Sequence, residues 1–408
     1  MTDLARPRHH VRPQRGWIND PNGVCRVDGR WHVFFQYNPH SPRHHRVGWG
    51  HWSSADLVEW TEHEPALTPR EGELDATGCW SGTFVMDGNT PTLIYTAVAD
   101  HARDGVALSA VGSPDLLTWT PRGTASAPRA GGPTDETRDP FPFEFNGHRY
   151  VVLGFGGPQS DAAILVYQAD DLTNWTPLGC LVDVNHPVAA RVAPAAIWEC
   201  PNLLHIDGHW VLIVSLWTWN GTQGELSGVR WMAGDLQDTP EGPRFEPRHG
   251  GVLDDGPAFY APQAASAGER TLLWGWSWEL GREEDWLDEH GWAGTLTTPR
   301  ELHVRDGQLV QEPAAEHLAR HTRECGRSWR AEQENTFMVE AHEAAELHCS
   351  ATEGGLEAIT LPAGSLLLVD GSLVELFHEG RSHTTRIYPT VESEWSLAGG
   401  AVSVRAFA

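Results

Sequence analysis

The chain has 408 residues, enough for two or three domains of ordinary size or for one large β-domain with a smaller companion. Its 55 Asp and Glu residues outnumber its 29 Lys and Arg residues, which gives a formal net charge of −26. A surface of this sign repels phosphate backbones and anionic lipid headgroups, so nucleic acid and membranes are excluded as expected partners.

The N-terminal segment and the cysteines predict a cytoplasmic protein. Residues 1–15 lack the apolar segment of a secretory signal, and no apolar run approaches the roughly 20 residues of a membrane helix. The six cysteines form no CxxC pair, which argues against a zinc site and against a disulfide framework. The adjacent pairs His9-His10 and His44-His45 would point to opposite strand faces. We therefore expect free thiols and no bound metal.

Short alternating apolar segments predict an all-β protein. Predicted strands lie at residues 31–35, 92–95, 149–153 and 209–214. Three of them follow Asp-Gly or Asn-Gly turns, at residues 28–29, 146–147 and 207–208, which predicts β-hairpins. Twenty Trp residues fit this class, because large β-folds pack Trp in their cores and carbohydrate pockets use a few as flat walls.

A repeat of about 60 residues underlies these strands. An Asp-Leu pair, with Trp four positions after the Asp, begins at Asp56, Asp115 and Asp171, and a degraded copy without the Trp begins at Asp235. One four-stranded blade per repeat gives about five blades before residue 300. We therefore predict a β-propeller over residues 1–305, whose inner strands bring distant residues to one pocket.

The pattern changes after residue 305. Residues 312–320 place Pro313 before good helix formers, which predicts a short helix within a linker over residues 306–324. Two apolar runs flank the turn Asp370-Gly371 and predict another hairpin. A small β-sandwich is expected over residues 325–408.

Three acidic residues lie in segments rich in Trp, Pro and Asn, where burial and neighbours separate the pKa values of carboxyl groups. Asp20 precedes Pro21, which favours an extended backbone, although an ordinary Asp-Pro turn gives the same pattern. Asp139 follows Arg138, which would keep its carboxylate ionised or form a surface ion pair. Glu199 lies between a Trp and a Cys in an apolar strand, where a charge needs a partner; a structural buried Glu is the alternative.

The wording of these segments resembles glycoside hydrolase family 32, the family of invertases, inulinases and levanases. The motifs WINDPNG at 17–23, RDP at 138–140 and ECP at 199–201 are similar to its three signatures and occur in the same order. Similar segments are also FQYNP at 35–39, CWSGT at 79–83, YAPQ at 260–263 and VDGS at 369–372, so the resemblance covers nearly the whole chain. It implies a five-bladed β-propeller followed by a small β-sandwich.

The resemblance also implies roles for individual residues. Asp20 would be the nucleophile, Glu199 the general acid/base and Asp139 the residue that stabilises the transition state. The residues that it implies for substrate binding are Asn19, Gln36, Trp80, Ser81, Arg138 and Trp292. Trp80 and Trp292 are expected to form pocket walls, and no metal or organic cofactor is implied.

The implied activity is retaining hydrolysis of terminal β-D-fructofuranosyl units from sucrose and short fructooligosaccharides, with levan and inulin as further substrates. A fructosyltransferase, an endo-acting levanase or inulinase, and a non-catalytic fructan-binding protein are the alternatives; the presence of all three carboxylates disfavours the last. Residues 39–46 are rich in His and Arg and have no aromatic residue, where relatives often place one near the leaving group. The preferred leaving group therefore stays open. The sequence does not predict the oligomeric state.

Overall fold

A computed structural model describes residues 3–102, 105–127, 130–132, 134–353 and 356–407. The protein is all-β, with three short helices in the described residues, α1 (Pro187–Val192), α2 (Glu284–His290) and α3 (Ala315–Leu318). None of these helices has the length and apolar character needed to cross a bilayer.

Five successive groups of four antiparallel strands make up the first part of the chain. The groups are β1–β4 (Gly16–Val27, Arg30–Asn38, Gly48–Ser54, Trp60–Leu67), β5–β8 (Gly78–Asp87, Thr90–Val98, Val106–Gly112, Trp119–Pro121), β9–β12 (Glu136–Phe145, His148–Gly157, Ser160–Gln168, Thr176–Asp183), β13–β16 (Ile197–Ile206, His209–Trp219, Gly224–Thr239, Gly242–Asp254) and β17, β18, β21 and β22 (Tyr260–Ala267, Arg270–Ser277, Arg300–Arg305, Gln308–Pro313). Two short strands, β19 (Trp292–Ala293) and β20 (Thr295–Leu296), lie between β18 and β21.

The first strands of the five groups are mutual neighbours. β1 contacts β5, β5 contacts β9, β9 contacts β13, β13 contacts β17, and β17 contacts β1. The fifth group also reaches back to the first through β19, which pairs in parallel with β1 so that Trp292 lies opposite Gly16. Residues far apart in the sequence therefore meet where these five strands converge.

The predicted strands and turns are confirmed. The four predicted strands fall within β2, β6, β10 and β14, which are the second strands of their groups. Asp28, Asn146 and Asp207 have φ of 48°, 50° and 49°, and a Gly with φ near 80° follows each, the left-handed pair that a tight hairpin requires.

The Asp-Leu repeat marks the third connection of a group. The copies that begin at Asp56, Asp115 and Asp171 lie between the third and fourth strands of the first three groups. The degraded copy at Asp235 lies inside β15, where the strand continues without a turn.

The last part of the chain forms two layers of strands. One has the order β30-β29-β28-β25-β32-β23 and joins the fourth group through a parallel pairing of β16 with β30, and the other has the order β24-β31-β26-β27. Their strands are β23 (His321–Glu324), β24 (Ser328–Arg330), β25 (Thr336–Ala341), β26 (Ala345–Cys349), β27 (Ala358–Leu361), β28 (Leu366–Asp370), β29 (Leu373–His378), β30 (Arg381–Arg386), β31 (Glu394–Gly399) and β32 (Val402–Phe407). Buried side chains from both sheets, including Phe337, Leu347, Val369 and Trp395, form one core.

The predicted linker is shorter than expected. β22 pairs with β21, so the fifth group runs to Pro313 rather than stopping at residue 305. β23 pairs with β32, so the last sheets begin at His321 rather than at residue 325. Between β22 and β23 lies only the segment that contains α3, because the residues on either side of it are paired in strands.

A buried ionic network joins the two parts of the chain. Arg300 donates to Asp254 from Nη1 and to Glu375 from Nη2, both at 2.8 Å. His10 contacts Asp370 through Nδ1 at 2.7 Å and Glu375 through Nε2 at 3.2 Å. These side chains are at most 3% exposed, and they come from both parts and from the N-terminal segment.

Candidate active site

The first strand of every group bulges at an equivalent place. The bulges lie between Ile18 and Pro21, Cys79 and Gly82, Arg138 and Phe141, Glu199 and Asn202, and Tyr260 and Gln263. A bulge bends a strand and redirects its side chains. Three residues here, Asp139, Cys200 and Ala261, have φ of 60°, 46° and 45°, a backbone conformation that few side chains adopt.

Buried amide side chains hold the bulges together. Asn22 accepts from the Gly82 amide, and Gln263 donates to the Gly82 carbonyl at 2.7 Å. Asn202 donates to the Pro262 carbonyl at 2.9 Å. These bonds fix neighbouring strands against one another, so the acidic residues above them are held by rigid elements.

Asp20 lies at the centre of a hydrogen-bond network. Ser81 Oγ and Gln36 Nε2 donate to its Oδ2 at 2.5 Å and 3.0 Å, and Asn19 Nδ2 donates to its Oδ1 at 3.0 Å. The Trp17 indole donates to Asn19 Oδ1 and thereby orients that amide. Burial raises the pKa of Asp20 and the charge of Glu199 adds to the rise, while the hydrogen bonds from Ser81 and Asn19 oppose it.

Asp139 and Asp20 share one neighbour, the Cys200 thiol. Its sulfur lies 3.5 Å from Oδ2 of both carboxylates, and the Cys200 amide donates to Asp139 Oδ2 at 2.8 Å. Burial raises the pKa of Asp139 to about 7; Arg138 opposes that rise, and the charges of Glu199 and Asp20 add to it. Arg138 favours the ionised form of Asp139, as expected, but burial outweighs the adjacent cation, so the pKa rises rather than falls.

Glu199 is the carboxylate that Arg138 binds. Arg138 Nη1 donates to Glu199 Oε1 at 2.7 Å, and the Tyr260 hydroxyl donates to Oε2 at 2.7 Å. The other amino group of Arg138 pairs with Glu136, two residues earlier on the same strand. Both oxygens of Glu199 are thus positioned, and its side chain is 11% exposed.

Aromatic rings surround this cluster. The Arg138 guanidinium lies 5.1 Å from the centre of the Trp80 ring, and His44 meets Trp80 edge-on at 5.9 Å. Trp17 packs at 5.6 Å from Trp276, which the sequence analysis did not single out. These rings offer the flat apolar surfaces that sugar faces need.

The structure does not bring Trp292 into this network. Trp292 is 1% exposed, its indole donates to Asp3, and Arg12 covers its ring at 4.6 Å. It packs against Trp286 and shares a buried cluster with Tyr388. The predicted role of Trp292 as a pocket wall is therefore corrected, because the ring is enclosed by protein.

Two of the polar residues at the cluster, Tyr260 and Glu136, were not predicted as site residues. A signal for Tyr260 exists, because Tyr260-Ala261-Pro262 repeats the pattern of Glu199-Cys200-Pro201 about 60 residues later. Glu136 carries no comparable signal beyond its place two positions before Arg138, which puts both side chains on one strand face.

The arrangement suits acid–base and nucleophilic chemistry at a sugar. It brings three carboxylates, amide and hydroxyl donors, and aromatic rings into one cluster. Among the described residues, no cluster of three or more His, Cys, Asp or Glu side chains is arranged to hold a metal ion.

Known proteins match both the sequence and the fold. Residues 10–313 match the family model described as glycosyl hydrolases family 32 N-terminal domain. Sucrose-6-phosphate hydrolase of Klebsiella pneumoniae is 35% identical over 78% of this chain and 69% of that protein. Raffinose invertase of Escherichia coli is 31% identical over 76% of this chain and 65% of that protein.

Two solved structures share the fold over nearly the whole chain. Sucrose-6-phosphate hydrolase from Lactobacillus gasseri superposes with a TM-score of 0.81 at 22% identity, covering 100% of this chain and 94% of that one. A β-fructofuranosidase mutant from Bombyx mori in complex with sucrose gives 0.80 at 24% identity, covering 99% and 94%.

Proposed function

The chain belongs to glycosyl hydrolase family 32, and from that premise we propose a retaining β-fructofuranosidase that releases terminal non-reducing β-D-fructofuranosyl units from sucrose and short fructooligosaccharides. As a member of this family the chain is a glycoside hydrolase. We further propose that its five groups of strands form a five-bladed β-propeller and that its last two sheets form a β-sandwich. The ring of contacts between the five first strands supports the blade count.

One observation carries the proposed activity. Asp20, Asp139 and Glu199, which lie on three different groups, are joined by the Cys200 thiol, Arg138 and their mutual charges into one cluster. Retaining hydrolysis needs one carboxylate as nucleophile and a second carboxyl group as acid and then base. That mechanism requires no other pair of chemical groups.

The proposed reaction has two displacement steps. Asp20 attacks the anomeric carbon while Glu199 donates a proton to the departing glycosidic oxygen. Glu199 then takes a proton from water, which attacks the fructosyl–Asp20 ester and releases fructose with its configuration retained. Asp139 accepts hydrogen bonds from sugar hydroxyls as positive charge grows on the ring.

We propose that the remaining polar groups hold the fructosyl unit while they orient the two reacting carboxyl groups. Ser81 and Gln36 donate hydrogen bonds to Asp20 Oδ2, and Asn19 donates one to Oδ1. These bonds orient the carboxylate for attack on the anomeric carbon. Tyr260 and Arg138 orient the two oxygens of Glu199. Such pre-arranged geometry lowers the cost of reaching the transition state.

Sucrose 6-phosphate is a second candidate substrate, since several relatives are named for its hydrolysis. The side chains described in the basic loop at residues 39–46 give this substrate little support. His44 reaches Trp80, but burial lowers its pKa, and Arg43 already pairs with Glu284 and Asp288.

Product chromatography tests the proposal. The purified protein is incubated with sucrose, 1-kestose, inulin and levan, and the products are separated. Free fructose from the two small substrates is expected. Longer oligomers would favour a fructosyltransferase or an endo-acting enzyme, and the absence of products would favour a fructan-binding protein.

The six cysteines support a proposed cytoplasmic location. All six are unpaired in the structure, as expected for a reducing compartment.

A further inference from the structure

Arg138 is held between two carboxylates. One amino group donates to Glu199 at 2.7 Å, and the other pairs with Glu136. Glu136 and Arg138 are two residues apart in β9, so their side chains share a face. The exposed fraction of the side chain rises from 11% for Glu199 to 13% for Arg138 and 21% for Glu136, so this row leads outward from the acid cluster.

The row marks the side of the pocket where the leaving group departs, an assignment that rests on the proposed function. A general acid must lie within hydrogen-bond reach of the oxygen that it protonates. The sugar attached to that oxygen therefore lies beside Glu199, and its outer hydroxyls lie near Arg138 and Glu136.

Beside Glu199, little positive charge is free to attract a leaving group that carries a negative charge. The guanidinium of Arg138 faces two carboxylates at contact distance. The other basic side chain that contacts Trp80 is His44, whose pKa is lowered by burial and by the charge of Arg138, so it is neutral near pH 7. With Glu199 protonated for its role as the acid, the charges of Arg138 and Glu136 cancel, so the described side chains in this row carry no net positive charge.

We propose that Glu136 determines leaving-group specificity: by occupying Arg138 and adding a negative charge, it makes the enzyme select neutral leaving groups over phosphorylated ones. A phosphate monoester carries a charge of about −1.5 to −2 near neutral pH. Its repulsion by a nearby carboxylate, even with the dielectric screening of bulk water, amounts to a discrimination of about fivefold. Glu136 acts on substrate choice through its own charge and through Arg138, and it does not itself touch the reacting atoms.

The test compares kcat/KM for sucrose and for sucrose 6-phosphate in the native enzyme and in Glu136→Gln. Glutamine keeps the shape and an oxygen that accepts from Arg138 while the charge is removed. Glu144→Gln is the matched control, because it makes the same change at the exposed far end of the same strand. Thermal unfolding of each variant checks that the fold is retained.

The native enzyme should prefer sucrose, and Glu136→Gln should narrow the preference by about fivefold or more, mainly by raising kcat/KM for sucrose 6-phosphate. Added salt should narrow the preference in the native enzyme and change it much less in Glu136→Gln, a response that a packing role would not give. Glu144→Gln should leave the ratio unchanged.

Three results would overturn the proposal. A native preference for sucrose 6-phosphate, or an unchanged ratio in Glu136→Gln with normal sucrose hydrolysis, would overturn the role of Glu136 and leave the proposed function standing. Absence of hydrolysis of both sugars by the native enzyme would overturn the proposed function and this inference together.

Discussion

Two buried clusters of acidic residues in this molecule have pKa values that shift in opposite directions. In the candidate active site, burial raises the pKa of Asp20 and Asp139. In the network that joins the two parts of the chain, the pKa of Asp370 is lowered and that of Glu375 falls to about 2, although both groups are equally buried.

The number of cations decides the difference. Burial opposes ionisation in both clusters, but Arg300 and His10 lie inside the second one and more than compensate. In the active-site cluster, as far as the described residues go, Arg138 is the one guanidinium, and Glu199 and Glu136 share it. A cluster whose acids are fully paired stabilises the fold, whereas one whose acids repel one another retains carboxyl groups that can exchange protons.

The largest expected effect is loss of catalysis in the pocket. Asp20→Asn should lower kcat by about four to six orders of magnitude, because it removes the nucleophile. Glu199→Gln should lower it by about two to four orders. Steady-state rates with sucrose measure both, and thermal unfolding should show no loss of stability; a rate near that of the native enzyme would remove that residue from the mechanism.

The opposite pattern is expected in the ionic network. Arg300→Met removes the cation between Asp254 and Glu375 and should destabilise the fold by about 3–5 kcal/mol, because both buried carboxylates lose a charged partner and Glu375 keeps only His10. Urea unfolding measures the loss. The folded fraction should keep its kcat for sucrose, and a small stability change would mean that the network is not what holds these parts together.

Asp139→Asn should stabilise the protein while it impairs catalysis. The pKa of Asp139 is raised from 3.8 to about 7, so its ionisation destabilises the fold as pH rises through that interval. The variant should gain ~1–3 kcal/mol at pH 8 and nothing near pH 3.5, where the carboxyl group is already neutral. Asparagine also tolerates the φ of 60° at this position.

Unfolding of native protein and Asp139→Asn at several pH values measures that gain. Equal stability of the two proteins at pH 8 would mean that folding does not raise the pKa of Asp139.

The smallest effect is expected at the surface. Arg43 pairs with Glu284 and Asp288, whose side chains are 81% and 56% exposed. Arg43→Ala should therefore cost less than about 1 kcal/mol, since solvent screens such pairs. A loss comparable to that of Arg300→Met, measured in the same urea series, would break the distinction between buried and exposed ion pairs.

Much of the fold follows from local sequence signals. Asp28-Gly29 and the equivalent turns fix hairpins through their backbone conformation, and the Asp-Leu repeat marks three of the groups. The copy at Asp235 does not mark a connection between strands, because β15 continues through that position. The boundary at Pro313 could not be predicted, because it depends on pairing with β21 rather than on the residues themselves.

The candidate site was only partly predictable. The three acids stand out through their neighbours in sequence, but the partner of Arg138 does not. Successive side chains of a strand point in opposite directions, so Arg138 reaches Glu199 and Glu136 while Asp139 reaches the Cys200 amide. Such contacts come from the convergence of strands far apart in the chain.

The central proposal is that Asp20 and Glu199 cleave a fructosyl bond with retention, and one measurement tests it most directly. The enzyme is given sucrose in the presence of methanol, and the methyl fructoside formed is identified by NMR, because this product does not change its anomeric form afterwards. Methyl β-D-fructofuranoside is the expected product, since two displacements restore the configuration of the substrate. The α-anomer would contradict the account, because it would mean a single displacement without a fructosyl–Asp20 intermediate.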